Sequence, residues 1–161
     1  LLWPDNDFTK NNFPGPEFQS EQKQYAFNRI KKNKNGVVLD IGAHIGDFCI
    51  PLAQALSNKN ITIIAFEPDK DKCKFIRIVI NKCVSDKKGF MKPSHSTMHL
   101  NSGAQRYEKT NKGVESIPID SLQYDNIKFM WIDVEGHEQE VLRGAKKSIK
   151  KFKPEIMLES D

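Results

Sequence analysis

The chain has 161 residues, 38% of them hydrophobic and 29% charged, with a net charge of +4. That is enough apolar material for one core and too much for a disordered chain, and no apolar run nears the ~20 residues that cross a bilayer. With no basic-then-apolar leader, the reading is one cytoplasmic domain over 1–161: an N-terminal arm and helix (1–36), then an α/β core (37–161). The chain opens on Leu1 rather than Met, so further residues are expected upstream.

Residues 1–16 hold three prolines and no period, and read as a draped arm. From Glu17 to Lys34 the pattern predicts a polar helix with Phe18, Tyr25, Ala26 and Ile30 on one face, ended by Asn35-Gly36. VVLDI (37–41) is a continuous apolar strand, as in a sheet covered on both sides. A helix is predicted from Asp47, as its N-cap, to Ser57, with Pro51 tolerated in the first turn. ITIIAF (61–66) is a second strand, 69–77 a second helix, and IVINKCV (78–84) a third strand. The crossover between those two strands is short for a helix and its loops, which predicts missing residues near 77–78. Residues 86–116 lack periodicity and read as a long active-site loop or small hairpin. IKFMWIDV (127–134) is a fourth strand. A helix over 137–150 follows, burying Val141, Leu142, Ala145, Ile149 and Phe152. EIMLES (155–160) is a fifth strand. Strands alternating with helices predict an α/β fold with a doubly wound, mostly parallel, Rossmann-like sheet.

Lysines cluster in KKSIKKFK (146–153) and KKNK (31–34). Such runs read as solvated helix faces, so nucleic acid is a possible partner but not the favoured one. Cys49, Cys73 and Cys83 are odd in number and form no C-x-x-C pair, which predicts free thiols.

In open α/β sheets the ligand sits beyond the carboxyl ends of the strands, beside the first. Here that place holds Gly42-Ala43-His44-Ile45-Gly46. The spacing is G-x-x-x-G rather than the dinucleotide G-x-G-x-x-G, and Asp40 precedes the first glycine. A carboxylate there repels a pyrophosphate and suits a cation. S-adenosyl-L-methionine has no phosphate and carries an ammonium and a sulfonium. Glu67-Pro68 ends the second strand, where a carboxylate can accept from two ribose hydroxyls. Asp133 and Glu135 end the fourth. Acids at three strand tips are expected to converge, raising one another's proton affinity unless a cation sits among them.

With these residues assembled, the sequence resembles the FkbM-type family of S-adenosylmethionine-dependent methyltransferases of the class I fold. The resemblance rests on VVLDIGAHIGDF (37–48), IIAFEP (63–68), VSDKKG (84–89), IPIDSL (117–122), MWIDVEGHEQEVLRGA (130–145) and PEIMLE (154–159). It implies methyl transfer to an oxygen of a small molecule or glycan. On this resemblance Asp40, Gly42, Ala43 and Gly46 would frame the methionine end and Glu67, with Pro68, the ribose. Val84, Ser85 and Asp86 would lie near the adenine and Asp133 near the methyl, with Gln19 reaching in from the N-terminal helix. The chain departs from the family in having Trp131 where members commonly have Lys. It also stops after its fifth strand without the usual C-terminal hairpin, which predicts a truncated sequence.

A hydroxyl acceptor is a poor nucleophile until it loses its proton, so a general base is expected. Asp133, Glu135 and His137 are the candidates, His137 titrating closest to neutrality. Glu138 is assigned to the helix dipole. No complete set of metal ligands is legible, so no metal site is expected. His95, His99 and the LNSGAQR segment (100–106) are read as substrate-facing loop. The competing functions are an RNA ribose 2′-O-methyltransferase, an NAD(P)-binding oxidoreductase and a cofactor-binding module without turnover.

Overall fold

The computed structural model describes residues 21–76, 78–94 and 104–159. Two sheets share the chain. The larger is built from β1 (Asn35–Ile41), β2 (Asn60–Phe66), β3 (Val79–Ile80), β8 (Ile127–Ile132) and β9 (Glu155–Leu158), in the order β3-β2-β1-β8-β9. Every pairing in it is parallel, as the alternating pattern predicts.

Side chains alternate across a strand, and the two faces bury different partners. Val38, Phe129 and Trp131 face α1 (Glu21–Ile30) and α2 (Cys49–Ala55), packing with Ala26, Ile30, Phe48 and Leu52. Leu39, Ile41, Met130 and Ile132 point the other way, toward Val141 of α4 (Glu138–Gly144) and Ala145, which leads into α5 (Lys146–Phe152). Double coverage is why these strands read as unbroken apolar runs rather than as alternation.

Several expectations shift. Helix α1 ends at Ile30, with the Asn33 side chain donating to the Ile30 carbonyl (3.1 Å), and Asn35-Gly36 already belong to β1. Tyr25 is 55% exposed, outside the buried face; Phe18 lies outside the described residues. Helix α2 starts at Cys49, and Asp47 does not cap it: its carboxylate pairs with Lys23 of α1. The β2–β3 crossover needs only the single turn α3 (Lys70–Cys73), capped by Asp69, because β3 pairs with the last two residues of β2 alone. The missing residues expected near 77–78 are therefore not required to close it.

The predicted third strand is split. Asn81 donates to the carbonyls of Glu67 and Pro68 (2.9 Å each), and the chain leaves the first sheet. It then enters a second as β4 (Cys83–Val84), followed by β5 (Gly89–Pro93), β6 (Tyr107–Thr110) and β7 (Val114–Ile117). That sheet has the order β4-β7-β5-β6, with β5 antiparallel to both its neighbours. Of the two readings of residues 86–116, a loop or a small hairpin, the hairpin is the one found, with β5 paired to both β6 and β7. Each strand buries so little, Met91 alone in β5, that no period shows in sequence.

The helix predicted over 137–150 is broken between Gly144 and Lys146. A side chain at 144 would overlap the Ser85 carbonyl, and Asp120 re-caps the next segment by accepting from the amides of Lys147 and Ser148 (2.8 Å each). The IPIDSL motif thus serves α5. Among the described residues no helix is long and apolar enough to cross a membrane, and the three cysteines are free.

Candidate functional site

The carboxyl ends of β1, β2 and β8 open into a cavity of about 350 Å³, roofed by the second sheet. Its wall includes Gly42, Glu67, Pro68, Val84, Asp133, Glu135 and His137, so seven residues named from sequence meet in one place. Asp40, Ala43 and Gly46 lie behind that wall, buried. Gln19, His95 and His99 lie outside the described residues.

The glycine turn is shaped by left-handed backbone. Gly42, His44 and Gly46 have φ of 88°, 49° and 90°, and a side chain at 42 would overlap the Asp133 carbonyl. Only glycine lets β1 and β8 approach this closely while taking that φ. The amides of Gly42 and Ala43 both donate to the Phe66 carbonyl (3.0 and 2.9 Å), and that of Gly46 to Ala43 (2.7 Å). The His44 amide donates to Oε2 of Glu67 (2.8 Å). Amides that would cradle a phosphate elsewhere are spent on protein acceptors here.

Glu67 is 4% exposed. One oxygen takes the His44 amide and the other takes that of Asp69 (2.8 Å). Each keeps a second lone pair, so a pinned carboxylate can still accept two donors from the cavity. Burial pushes its pKa up to about 7, against the lowering effects of Lys72 and the two amides. Asp40 is 1% exposed and sits on the α2 side of β1. Burial, then the charge of Asp47, pushes it up to about 7, while the Cys49 thiol donates to it; its Oδ2 has no hydrogen-bond partner among the described residues.

Asp133 is raised by burial, then by the nearby carboxyls of Glu159, Glu135 and Asp47. Glu159 follows β9, closes the PEIMLE segment and lines the same cavity, a place to which no sequence motif assigned it. Its place one parallel strand over from Asp133 was the available signal.

His137 caps α4 without a side-chain bond of its own to the helix. Its Nε2 lies 3.0 Å from Oγ of Ser85 and its Nδ1 3.7 Å from Glu140. The Ser85 hydroxyl donates to Asp86 (3.2 Å), so its oxygen is left to accept from Nε2. Burial lowers the His137 pKa, with Glu140 opposing. Asp86 in turn reaches Lys109 (3.4 Å). Glu135 and Gly136 both have positive φ, and Glu138 accepts from the Gly136 amide (2.9 Å), which is its observed use.

Lys23, Asp47, His44, Lys72, Lys82, Met91, Gln105 and Tyr107 also line the wall. The last three come from the second sheet or its edge. None of the lysines of 146–153 reaches the cavity. Trp131 does not either: it is 4% exposed and stacks on Phe48, ring centroids 4.6 Å apart.

Comparisons with known proteins bear on the fold and the family. A crystal structure of methyltransferase FkbM from Methylobacillus flagellatus KT aligns at 20% identity with a TM-score of 0.56, over 78% of this chain and 32% of that one. At that identity the likeness speaks to fold, and the chain spans about a third of that relative's length. A search of curated proteins finds no match. The profile of the methyltransferase FkbM domain matches residues 40–161, from Asp40 at the end of β1 through Glu159 beyond β9. The chain belongs to the methyltransferase FkbM domain family.

Proposed function

We propose that the chain binds S-adenosylmethionine and methylates a hydroxyl of a small molecule or glycan. The observation that carries this is the glycine turn: its amides are occupied by protein acceptors, one of them the Glu67 carboxylate. A pyrophosphate would find neither donors nor a neutral surface there, whereas a phosphate-free, cationic cofactor meets both a diol acceptor and acidic strand tips. The residues fit that group. Glu67 would hold the ribose, and the Gly42 turn the methionine end, with the orphaned Asp40 Oδ2 beneath it. Ser85 and Asp86, held by His137 and Lys109, would border the adenine.

The bound cofactor supplies a methyl carbon already activated by positive sulfur. What the protein must add is placement of the acceptor oxygen in line with that carbon, and a destination for its proton. Asp133 and Glu135 face the cavity, and burial and acidic neighbours raise the proton affinity of Asp133. His137 is the weaker base candidate, because both ring nitrogens face protein partners. Tyr107, Met91 and Gln105 offer an aromatic, apolar and amide surface to a hydroxylated acceptor. The absence of lysines 146–153 from the cavity wall gives an RNA acceptor no support.

Calorimetry with S-adenosylhomocysteine and with NAD tests the cofactor reading. Binding of the first and not the second is expected; tight NAD binding overturns it. Transfer of labelled methyl to hydroxylated small molecules, with RNA as competitor, then tests the acceptor class.

A further inference from the structure

The inference rests on the cofactor reading above and concerns Lys23. Helix α1 sets Ala26, Phe27 and Ile30 against β1 and β8. Lys23 precedes them by three, four and seven positions and so falls on the same helical face. Its side chain is 12% exposed, whereas Glu21, Gln22, Gln24 and Tyr25 around it are exposed. A lysine turned inward on an otherwise apolar stripe breaks the local pattern, and such breaks mark places where function rather than packing chose the residue.

That stripe ends at the cavity. Lys23 and Asp47 both line it and form an ion pair there. Asp47 directly follows Gly46, so the ammonium is held beside the glycine turn, the part of the cavity assigned to the methionine end of the cofactor.

S-adenosylmethionine carries a single anionic group, its α-carboxylate, and the turn has little to offer it. The amides of Gly42, Ala43, His44 and Gly46 donate to Phe66, Glu67 and Ala43. Asp133, Glu135 and Glu159, further along the wall, repel an anion, so a carboxylate buried here needs a cation beside it. Lys72 of α3 and Lys82, after β3, also line the cavity. Both enter from the β3 side of the sheet, where Glu67 stands, rather than from the turn. Lys23 is the lysine at the turn.

We propose that Lys23 receives the α-carboxylate of the cofactor, oriented in advance by its ion pair with Asp47, and makes the site selective for ligands that keep that carboxylate. An ammonium carries three donors, so it can serve Asp47 and a ligand carboxylate together. The ion pair orders the long side chain before the ligand arrives, which lowers the cost of binding.

The test is calorimetry of the full chain with S-adenosylhomocysteine and with its decarboxylated analogue, S-adenosyl-3-thiopropylamine, which keeps the ammonium. The unaltered chain is expected to bind the first about 10- to 100-fold more tightly. Lys23→Met keeps an unbranched stem without the charge. It is expected to abolish that preference by weakening S-adenosylhomocysteine, while the amine binds no worse, which also reports a folded site. Lys23→Arg is expected to keep the preference. Lys23→Met combined with Asp47→Asn, which removes the acid left without its lysine, is expected to show the same loss as Lys23→Met. Recovery in the double variant would assign the effect to repulsion by Asp47 and overturn the proposal. Equal affinity of the unaltered chain for the two compounds overturns it, and so does equal weakening of both by Lys23→Met, the mark of a purely structural ion pair. Binding of neither compound to the unaltered chain overturns the cofactor reading itself, and this inference with it.

Discussion

Oγ of Ser85 lies 3.0 Å from Nε2 of His137, joining the strand that enters the second sheet to the loop that follows β8. Ser85 is buried and His137 half-buried, so the bond is partly shielded from bulk water and ties the cavity-lining imidazole to the residue after β4. Ser85→Ala leaves the imidazole without that partner, and a loss of about 1–2 kcal/mol is expected. Urea unfolding measures it; an unchanged midpoint would show that the contact holds nothing together.

Glu67 is the best-defined cofactor contact of the site. Its two oxygens are fixed by the amides of His44 and Asp69, so little ordering cost remains when donors arrive from the cavity. Glu67→Ala is expected to weaken S-adenosylhomocysteine binding about 10- to 100-fold, in line with ~1.5–3 kcal/mol for hydrogen bonds to a charged group. Calorimetry on the two proteins decides it, and equal affinities would remove the ribose assignment.

Gly42→Ala tests the close approach of β1 and β8. The position has φ 88° and an added Cβ overlaps the Asp133 carbonyl, a backbone oxygen that cannot move without shifting the strand tip. A destabilisation of about 3 kcal/mol or more is expected, read as loss of the cooperative thermal transition or a large drop in its midpoint. A variant as stable as the parent would mean the turn is not built this tightly.

Trp131 occupies the place where a family lysine was expected, and it belongs to the core against α1 and α2. Trp131→Lys is expected to cost on the order of 3–5 kcal/mol, since the stack with Phe48 is lost and an ammonium is buried. Trp131→Phe, which keeps a ring there, is expected to cost much less. Guanidinium denaturation of both variants checks the order; a tolerated lysine would show that the residue faces water.

The buried acids make stability depend on pH in a defined direction. Asp40 and Glu67 are raised to about 7 and Asp133 is raised as well. A raised folded-state pKa gives stability that is full below the unfolded carboxylate range near ~4 and is lost as pH rises through the folded value. His137 is lowered and acts at the other end: its contribution is present above the unfolded value of ~6.5 and is lost as pH falls through the folded one. The ligand-free chain is therefore expected to lose melting temperature from about pH 4.5 to about pH 7, levelling off above about pH 8, with Asp40→Asn flattening the decline. Scanning calorimetry across that range measures it, and a rising profile would contradict the assignment.

Much of this was legible beforehand because the signals are local. The unbroken apolar runs at 37–41, 61–66 and 127–132 carry the sheet, and the parallel order follows from helices between them. Acids directly after those runs had to fall on one edge, since parallel strands all end on the same side. Glu67 and Asp133 were placed that way, and they do line one cavity. Of the second sheet only a small hairpin, as an alternative to a loop, was legible, because its short strands bury few side chains each.

The sequence by itself determined the sheet, the turn at Gly42 and the acidic tips, because hydrophobic period and glycine placement act over a few residues. Only the tertiary structure decided that Glu159 shares a cavity wall with Asp133, that Asp47 pairs with Lys23 rather than capping α2, and that Ser85 faces both His137 and Gly144. Those pairings join residues 24 to 59 positions apart, and their partners are chosen by strand register and helix packing, which no local pattern encodes.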